Sequence, residues 1–119
     1  MPFKTLLTKL VEAVPGASGA ILADWEGESV EHHSFGDPFD MKVTAAHWCI
    51  VLTLVKGLKE SFATGPVREG VISTDQQHVI VGAIGDDYAL VMTMNKEALP
   101  LVALRSFRET ARLLKKEIY

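Results

Sequence analysis

The chain of 119 residues has the length of one domain, which we expect to span residues 1–119, and its apolar fraction of 48% and charged fraction of 23% are typical of a folded globular protein. A net charge of −3, with acidic and basic side chains interspersed, argues against nucleic acid as the main partner. One cysteine excludes an internal disulfide, and Lys4, Lys9 and Glu12 interrupt the first apolar segment, which argues against a signal peptide, so we expect a cytoplasmic protein.

The first third of the chain predicts a helix followed by two strands. Apolar residues recur at helical spacing from Phe3 to Val14, and Pro15-Gly16 ends this helix. The short apolar segment Ser18–Asp24 predicts a strand that is covered on both faces. The polar segment Glu28–Ser34 predicts an edge strand.

A second helix is predicted between Asp40 and Glu60, and its apolar surface is about twice as wide as a helix on one sheet needs. The apolar run 43–55 is shorter than the about 20 residues of a membrane span, and Lys42 and Lys56 bound it. A chain of this size cannot surround a helix on every side, so we expect a second copy or another protein to cover its outer face. That outer face includes Trp48, Val51, Leu52 and Val55.

The remaining segment predicts three strands and a last helix. The strands are Val67–Thr74, His78–Ile84 and Tyr88–Met94, joined by short turns rich in polar residues and glycine. The last helix is predicted over about Glu97–Glu117, with Pro100 in its first turn.

The resulting order, α-β-β-α-β-β-β-α, predicts an α/β (α+β) fold with a five-stranded antiparallel sheet. Strands in which apolar and polar residues do not alternate cleanly indicate that helices cover both faces of the sheet. The first and last helices can share one face, which leaves the middle helix alone on the other. Its outer side then points away from the domain, as the composition of that helix also suggests.

Residues with catalytic or metal-binding chemistry do not form a recognisable site. His32 and His33 are neighbours on a strand and point to opposite faces, and no H-x-x-x-H or C-x-x-C pair occurs. Cys49 is most simply a structural or interface residue. The segment Gly16–Gly19 follows a helix and precedes a strand, whereas a phosphate-binding loop follows a strand and precedes a helix. We therefore predict no catalytic residue, metal or cofactor, no enzymatic activity, and no binding of GTP by this chain itself.

Two segments resemble Roadblock/LC7 domains, a family that includes dynein light chain-related proteins and bacterial and archaeal regulators of small GTPases. The order and length of the elements agree with this family over essentially the whole chain. The first segment, Leu10–Gly27, contains the helix end, the entry into the first strand and the following turn, and the second is a hairpin, Gly85–Val91. The matching motifs are Val14-Pro15-Gly16, Gly19-Ala20, Asp24-Trp25-Glu26-Gly27 and Gly85-Asp86-Asp87-Tyr88-Ala89-Leu90-Val91.

The resemblance implies a profilin-like three-layer sandwich that forms a homodimer, or a heterodimer with a paralogue. Two sheets would join edge to edge through the third strand, with the middle helices side by side. The dimer would bind a Ras-like small GTPase as a regulator or scaffold, and some members activate GTP hydrolysis. The expected interface residues are Trp48, Val51, Leu52, Val55, Val67, Glu69 and Val71. Candidate contacts to the GTPase are Lys56, Lys59 and Arg68.

Two alternatives stay open at this point. Arg68 could reach the transferring phosphate of a GTPase, although a solvated charge that guards a sheet edge is the simpler interpretation. The whole chain could instead be a small sensor domain of the PAS or profilin-like type, with a ligand bound between sheet and helix.

Overall fold

The computed structural model describes residues 2–26, 28–34, 43–48 and 68–119, and its elements follow the predicted order. The helices are α1 (Pro2–Ala13), α2 (residues 43–48 in the described part) and α3 (Pro100–Ile118). The strands are β1 (Ala17–Asp24), β2 (Ser29–Ser34), β3 (Glu69–Ser73), β4 (Gln77–Ile84) and β5 (Tyr88–Asn95).

The strands form one five-stranded antiparallel sheet in the order β2-β1-β5-β4-β3. The predicted five-stranded antiparallel sheet is therefore confirmed. The apolar strands β1, β4 and β5 lie in the centre, where both faces are covered, and the polar strands β2 and β3 lie at the edges. This arrangement follows from burial, because an edge strand has one side in water.

The two terminal helices pack on one face of the sheet, as predicted. Phe107 of α3 is 1% exposed and its ring lies over Gly82 of β4, where a Cβ atom would be only 2.7 Å from Cε1 of the ring. Each large side chain buried in such a core contributes about 1.5–3 kcal/mol. The main members of this core are Leu7, Leu10, Leu22, Ile80, Leu90, Met92, Phe107 and Leu114.

A second, smaller core lies on the opposite face of the sheet, beneath α2. Ala45 is fully buried there, and Trp48 and Trp25 pack against the cluster while remaining partly exposed. The middle helix thus covers the second face of the sheet, which confirms the three-layer prediction. Within the described ranges, no helix combines the length and apolar character that a membrane span needs. The sheet residues of this core are Ile21, Ala23, Val79, Val81, Ala89 and Val91.

The turn after β1 is closed by the side chain of Asp24. Its Oδ1 atom accepts hydrogen bonds from the backbone N–H groups of Glu26 (2.9 Å) and Glu28 (3.0 Å). The indole N–H of Trp25 donates to the carbonyl of Asp86 in the neighbouring β4–β5 turn, at 2.8 Å. The aspartate of the Asp24-Trp25-Glu26-Gly27 motif therefore has a structural role, because it satisfies main-chain donors that the turn leaves without partners.

The last helix begins three residues later than its predicted start at Glu97. Leu99 is extended (φ −105°, ψ 99°) and Pro100 occupies the first helical turn. A proline ring disfavours helical geometry in the residue before it, so the helix cannot extend back through Leu99. Glu97 instead lies in a turn, where its N–H donates to Oδ1 of Asn95 at 3.1 Å.

Candidate assembly surface

The outer edge of β3 offers main-chain groups to a partner. Hydrogen bonds at its two ends fix which residues face β4: the N–H of Ala83 donates to the carbonyl of Arg68 (2.8 Å), and the N–H of Thr74 donates to that of Gln77 (2.8 Å). Main-chain groups alternate in direction along an antiparallel edge strand. The outward groups therefore belong to Glu69, Val71 and Ser73. Among the described residues, no strand pairs with this edge.

The side chains of β3 divide between the two faces of the sheet. Glu69 and Val71 pair with Gly82 and Ile80 of β4, which places them on the face of α1 and α3. Ile72 pairs with Val79 and lies on the face of α2. Val71 is 41% exposed, so it adds an apolar side chain to the open edge.

Glu69 is tied to the last helix within its own chain. The Nε atom of Arg108 donates to Oε1 of Glu69 at 2.9 Å, and the Nη2 atom of Arg108 contacts the same oxygen. This hydrogen bond, together with the negative charge of Glu69, raises the pKa of the Arg108 guanidinium. The carboxylate of Glu69 is therefore oriented toward α3 before any partner binds.

Arg68, a candidate contact to a GTPase, is an exposed residue immediately before β3. Its carbonyl continues the β3–β4 ladder by accepting the N–H of Ala83. The backbone of Arg68 is thus held by the sheet, while its side chain extends into water at the open edge.

In α2, Trp48 lies between the sheet and the surface. Its ring packs against the smaller core and contacts the His47 ring edge to face, with centroids 5.4 Å apart and planes at 82°. Val43 is 53% exposed and His47 is exposed, so this end of α2 presents an outer surface that the sheet does not cover. Trp48 therefore belongs in part to the core of its own chain, and its contribution to an interface stays a prediction.

Several predicted site residues lie outside the described residues. Their roles at an interface or in binding a GTPase stay predictions. They are Val51, Leu52, Val55, Lys56, Lys59 and Val67.

Sequence reasoning missed Ser73, the last residue of β3. Its hydroxyl lies 2.6 Å from Nδ1 of His78, and Nε2 of the same ring lies 3.0 Å from the carbonyl of Lys96. A carbonyl only accepts, so Nε2 carries a proton, and in the neutral ring Nδ1 then accepts from the serine hydroxyl. The only sequence signal for Ser73 is its position two residues after Val71 and four after Glu69, which gives the three residues the same orientation in a strand. In the part of the chain that the structure describes, no group of three or more His, Cys, Asp or Glu side chains could hold a metal ion.

The chain was compared with known protein families, curated proteins and solved structures. The sequence model of the Roadblock/LC7 domain matches residues 3–94. A search of the curated proteins finds no match.

Solved structures match the chain along nearly its whole length at low sequence identity. A Roadblock/LC7 domain from Streptomyces avermitilis is 22% identical with a TM-score of 0.86, covering 97% of this chain and 96% of that one. Myxococcus xanthus MglB is 12% identical with a TM-score of 0.87, covering 99% and 95%. Acanthamoeba castellanii profilin IB is 12% identical with a TM-score of 0.66, covering 98% and 99%. These likenesses confirm the predicted profilin-like fold.

Proposed function

The chain belongs to the Roadblock/LC7 domain family, and from this premise we propose that it is a dimeric, non-catalytic regulator or scaffold for a Ras-like small GTPase. The dimer is a homodimer or a heterodimer with a paralogue, and it works in the cytoplasm. Family membership supports the GTPase partner, and the likeness to MglB at the level of the fold is consistent with it.

The proposal of a dimer rests mainly on the open edge of β3. Three residues in alternate positions direct main-chain donors and acceptors away from the sheet, and unpaired groups of this kind are a template for pairing with another strand. An exposed apolar side chain, Val71, lies in the middle of this edge. A second β3 strand would satisfy these groups and extend the sheet across two chains.

A two-fold axis through the centre of β3 gives the simplest register for this pairing. Val71 would then lie opposite Val71 of the partner subunit, and Glu69 would lie opposite Ser73 of the partner subunit. This register puts a carboxylate across from a hydroxyl rather than from another carboxylate, which avoids the cost of like charges in directly opposed positions.

The substitution Val71→Pro tests the dimer without breaking the monomer. The N–H of Val71 points outward, so its removal leaves the hydrogen bonds to β4 intact, and proline is tolerated at such edge positions. We expect Val71→Pro to convert a dimer into a monomer in sedimentation velocity, with little change in the far-ultraviolet circular dichroism spectrum.

Two further variants provide the controls. Val71→Thr keeps the N–H and a β-branched side chain, so it should remain dimeric. Ile72→Pro removes an N–H that faces β4, so it should destabilise the monomer itself. A Val71→Pro protein that stays dimeric would show that the β3 edge is not the interface.

Binding to a GTPase is tested with purified Ras-like small GTPases, beginning with any that is encoded beside this chain. Each GTPase is loaded with GDP or with a non-hydrolysable GTP analogue and captured on the immobilised protein. We expect preferential capture of one nucleotide state, and hydrolysis measured with and without this protein separates activation from scaffolding. A thermal shift with metabolites but no captured GTPase would favour a small-ligand sensor.

The candidate contact at Arg68 has its own test. Arg68→Ala should weaken capture of the GTPase, with a larger effect at low salt, because an exposed charge at the rim acts mainly on the rate of association. Arg105→Ala is the matched control, since Arg105 is also exposed but lies on α3, on the opposite side of the sheet from α2. Equal effects of the two variants would indicate a general charge effect rather than a contact at Arg68.

A further inference from the structure

The two edges of the sheet differ in how their outward main-chain groups are occupied. The edge at β3 is open, whereas the edge at β2 is engaged by side chains of the same chain. Main-chain donors and acceptors without partners at a sheet edge are the groups with which another strand pairs. The difference between the two edges therefore determines where a second chain can add.

The main-chain groups of His32 point outward from the β2 edge. The N–H of Asp24 donates to the carbonyl of Glu28 at 3.1 Å, so the main-chain groups of Asp24 face β2. Because directions alternate along a strand, those of Leu22 face β2 as well, and Leu22 pairs with Glu31. Glu31 therefore faces β1, and the main-chain groups of the next residue, His32, face away from the sheet.

Two side chains occupy both of these outward groups. The ammonium of Lys4, on α1, donates to the carbonyl of His32 at 2.9 Å. Oε1 of Glu31 accepts the N–H of His32 at 3.2 Å and lies 4.0 Å from the ammonium of Lys4. Lys4 and Glu31 thus cover the edge at His32 together, and we call this pair of side chains the edge clip.

A β-bulge disrupts the part of β2 that precedes the edge clip. The residues that pair with Leu22 and Ala23 of β1 are Glu31 and Ser29. Val30 is therefore an extra residue in β2, and an extra residue bends its strand and interrupts the regular ladder. The edge clip thus covers the regular part of the edge, where another strand could pair.

The carboxylate on β3 does not close its edge in this way. Oε1 of Glu69 accepts a hydrogen bond from Nε of Arg108 on α3 at 2.9 Å. Glu69 is therefore directed across the sheet toward α3, whereas Glu31 is directed to the main chain of its own strand.

We propose that the edge clip keeps the β2 edge closed to other chains and thereby stops assembly at the dimer. This inference rests on the proposed dimer, since pairing through β3 leaves one β2 edge at each end of the joined sheets. The chain that the edge clip excludes is another copy, whose β2 edge would pair with this one about a two-fold axis. Such pairing would displace Lys4 from the carbonyl of His32 and remove its ammonium from water, which is costly.

The double variant Lys4→Ala/Glu31→Ala tests the proposal by removing both side chains of the edge clip. We expect sedimentation velocity to show species of at least twice the wild-type mass, in a proportion that rises with protein concentration. An exposed ion pair adds little to stability, so the variant should stay folded, which circular dichroism checks. In hydrogen–deuterium exchange, the outward amides of β2 should exchange more slowly in the larger species than in the wild type.

Lys9→Ala/Glu12→Ala is the matched control, because it makes the same two replacements at exposed positions of α1 and leaves the edge clip intact. It should have the mass of the wild type. The proposal is overturned if Lys4→Ala/Glu31→Ala keeps the wild-type mass over a hundredfold range of concentration. It is also overturned if the control forms larger species to the same extent, or if the larger species show no added protection in β2.

Combination with Val71→Pro separates this proposal from that of the dimer. If both hold, Val71→Pro alone is a monomer, and the variant with all three substitutions associates through β2 only as far as a dimer. If the wild type is a monomer, pairing through β3 is wrong, and Lys4→Ala/Glu31→Ala should still form a dimer through β2.

Discussion

At the scale of single residues, Gly82 allows the ring of Phe107 to lie directly on β4. A Cβ at position 82 would be 2.7 Å from Cε1 of this buried ring, well inside ordinary contact distance. We expect Gly82→Ala to lower the free energy of unfolding by about 1–3 kcal/mol, because overpacking a core displaces side chains from their preferred positions. Denaturant titration followed by circular dichroism measures the change.

Gly70 provides the control for this prediction. It lies on the neighbouring strand β3, and a Cβ at that position would have no heavy atom of another element within 4 Å. Gly70→Ala should therefore change the free energy of unfolding by no more than about 0.5 kcal/mol, or stabilise the protein slightly. Equal destabilisation by both variants would show that loss of glycine in the sheet, and not the contact with Phe107, is responsible.

Tyr119 gives a second prediction, which concerns pH. Its hydroxyl donates to Oδ2 of Asp87 at 3.0 Å, so α3 is joined to the β4–β5 turn. Partial removal of the hydroxyl from water, followed by the hydrogen bond to Asp87, raises the pKa of Tyr119 above its ordinary value of 10.0. The unfolded chain thus ionises first as pH rises.

The stabilisation from Tyr119 is therefore fully present below about pH 10 and falls as pH rises through the folded pKa. We expect the difference in stability between the wild type and Tyr119→Phe to be constant from pH 7 to 9 and to shrink above pH 10. Urea titrations across this range provide the measurement, and Asp87→Asn should weaken the dependence on pH. If the stability difference between the wild type and Tyr119→Phe grew above pH 10, the raised pKa of Tyr119 would be contradicted.

At the scale of the elements, the composition of a strand predicts its position in the sheet well. Central strands are covered on both faces and must be apolar, whereas edge strands are partly in contact with water. The polar segment 28–34 and the mixed segment 67–74 became the edge strands β2 and β3, and the apolar segments became the central strands. The start of α3 was predicted too early, because helical spacing alone does not register how Pro100 constrains Leu99. Contacts such as Gly82 with Phe107 could not be predicted, because they depend on how a distant helix lies on the sheet.

In the candidate site, too, some features could be predicted from the sequence and others could not. Glu69 and Val71 were predicted at the third strand, and the structure places them at its open edge together with Ser73, whose outward orientation the hydrogen-bond pattern establishes. The ion pair from Arg108 to Glu69 joins α3 to this edge and has no sequence signal, because the two residues lie on separate elements.

Trp48 is the element-scale case in which the structure changes the expected result of a substitution. The helical pattern placed its side chain on the outer face of α2, where Trp48→Asp would break the dimer. The ring packs against the smaller core of its own chain, so the same substitution also removes contacts within the monomer.

We therefore expect Trp48→Asp to destabilise the protein by roughly 2–3 kcal/mol, less than the ~3–5 kcal/mol of a fully buried tryptophan. Denaturant unfolding at a concentration where the protein is monomeric isolates this contribution. Val43→Asp, at a position of the same helix that is 53% exposed, should cost less than about 1 kcal/mol. A Trp48→Asp monomer as stable as the wild-type monomer would assign the side chain to the interface alone.

At the scale of the whole molecule, the sheet separates two surfaces. The helix α2 and the smaller core lie on one face, α1 and α3 with the larger core lie on the other, and the open edge of β3 lies between them.

The proposed pairing through β3 would make the stability of the protein depend on its concentration, since anything that binds only the folded chain stabilises it by mass action. Each tenfold rise in concentration should add about 1.4 kcal/mol per dimer and raise Tm by a few degrees. We expect this dependence in differential scanning calorimetry of the wild type and of Val71→Thr. Val71→Pro should instead unfold at a Tm that does not change with concentration, because its edge lacks the outward N–H that a second chain requires. A wild-type Tm that stays constant over a hundredfold range would show that the folded state is a monomer.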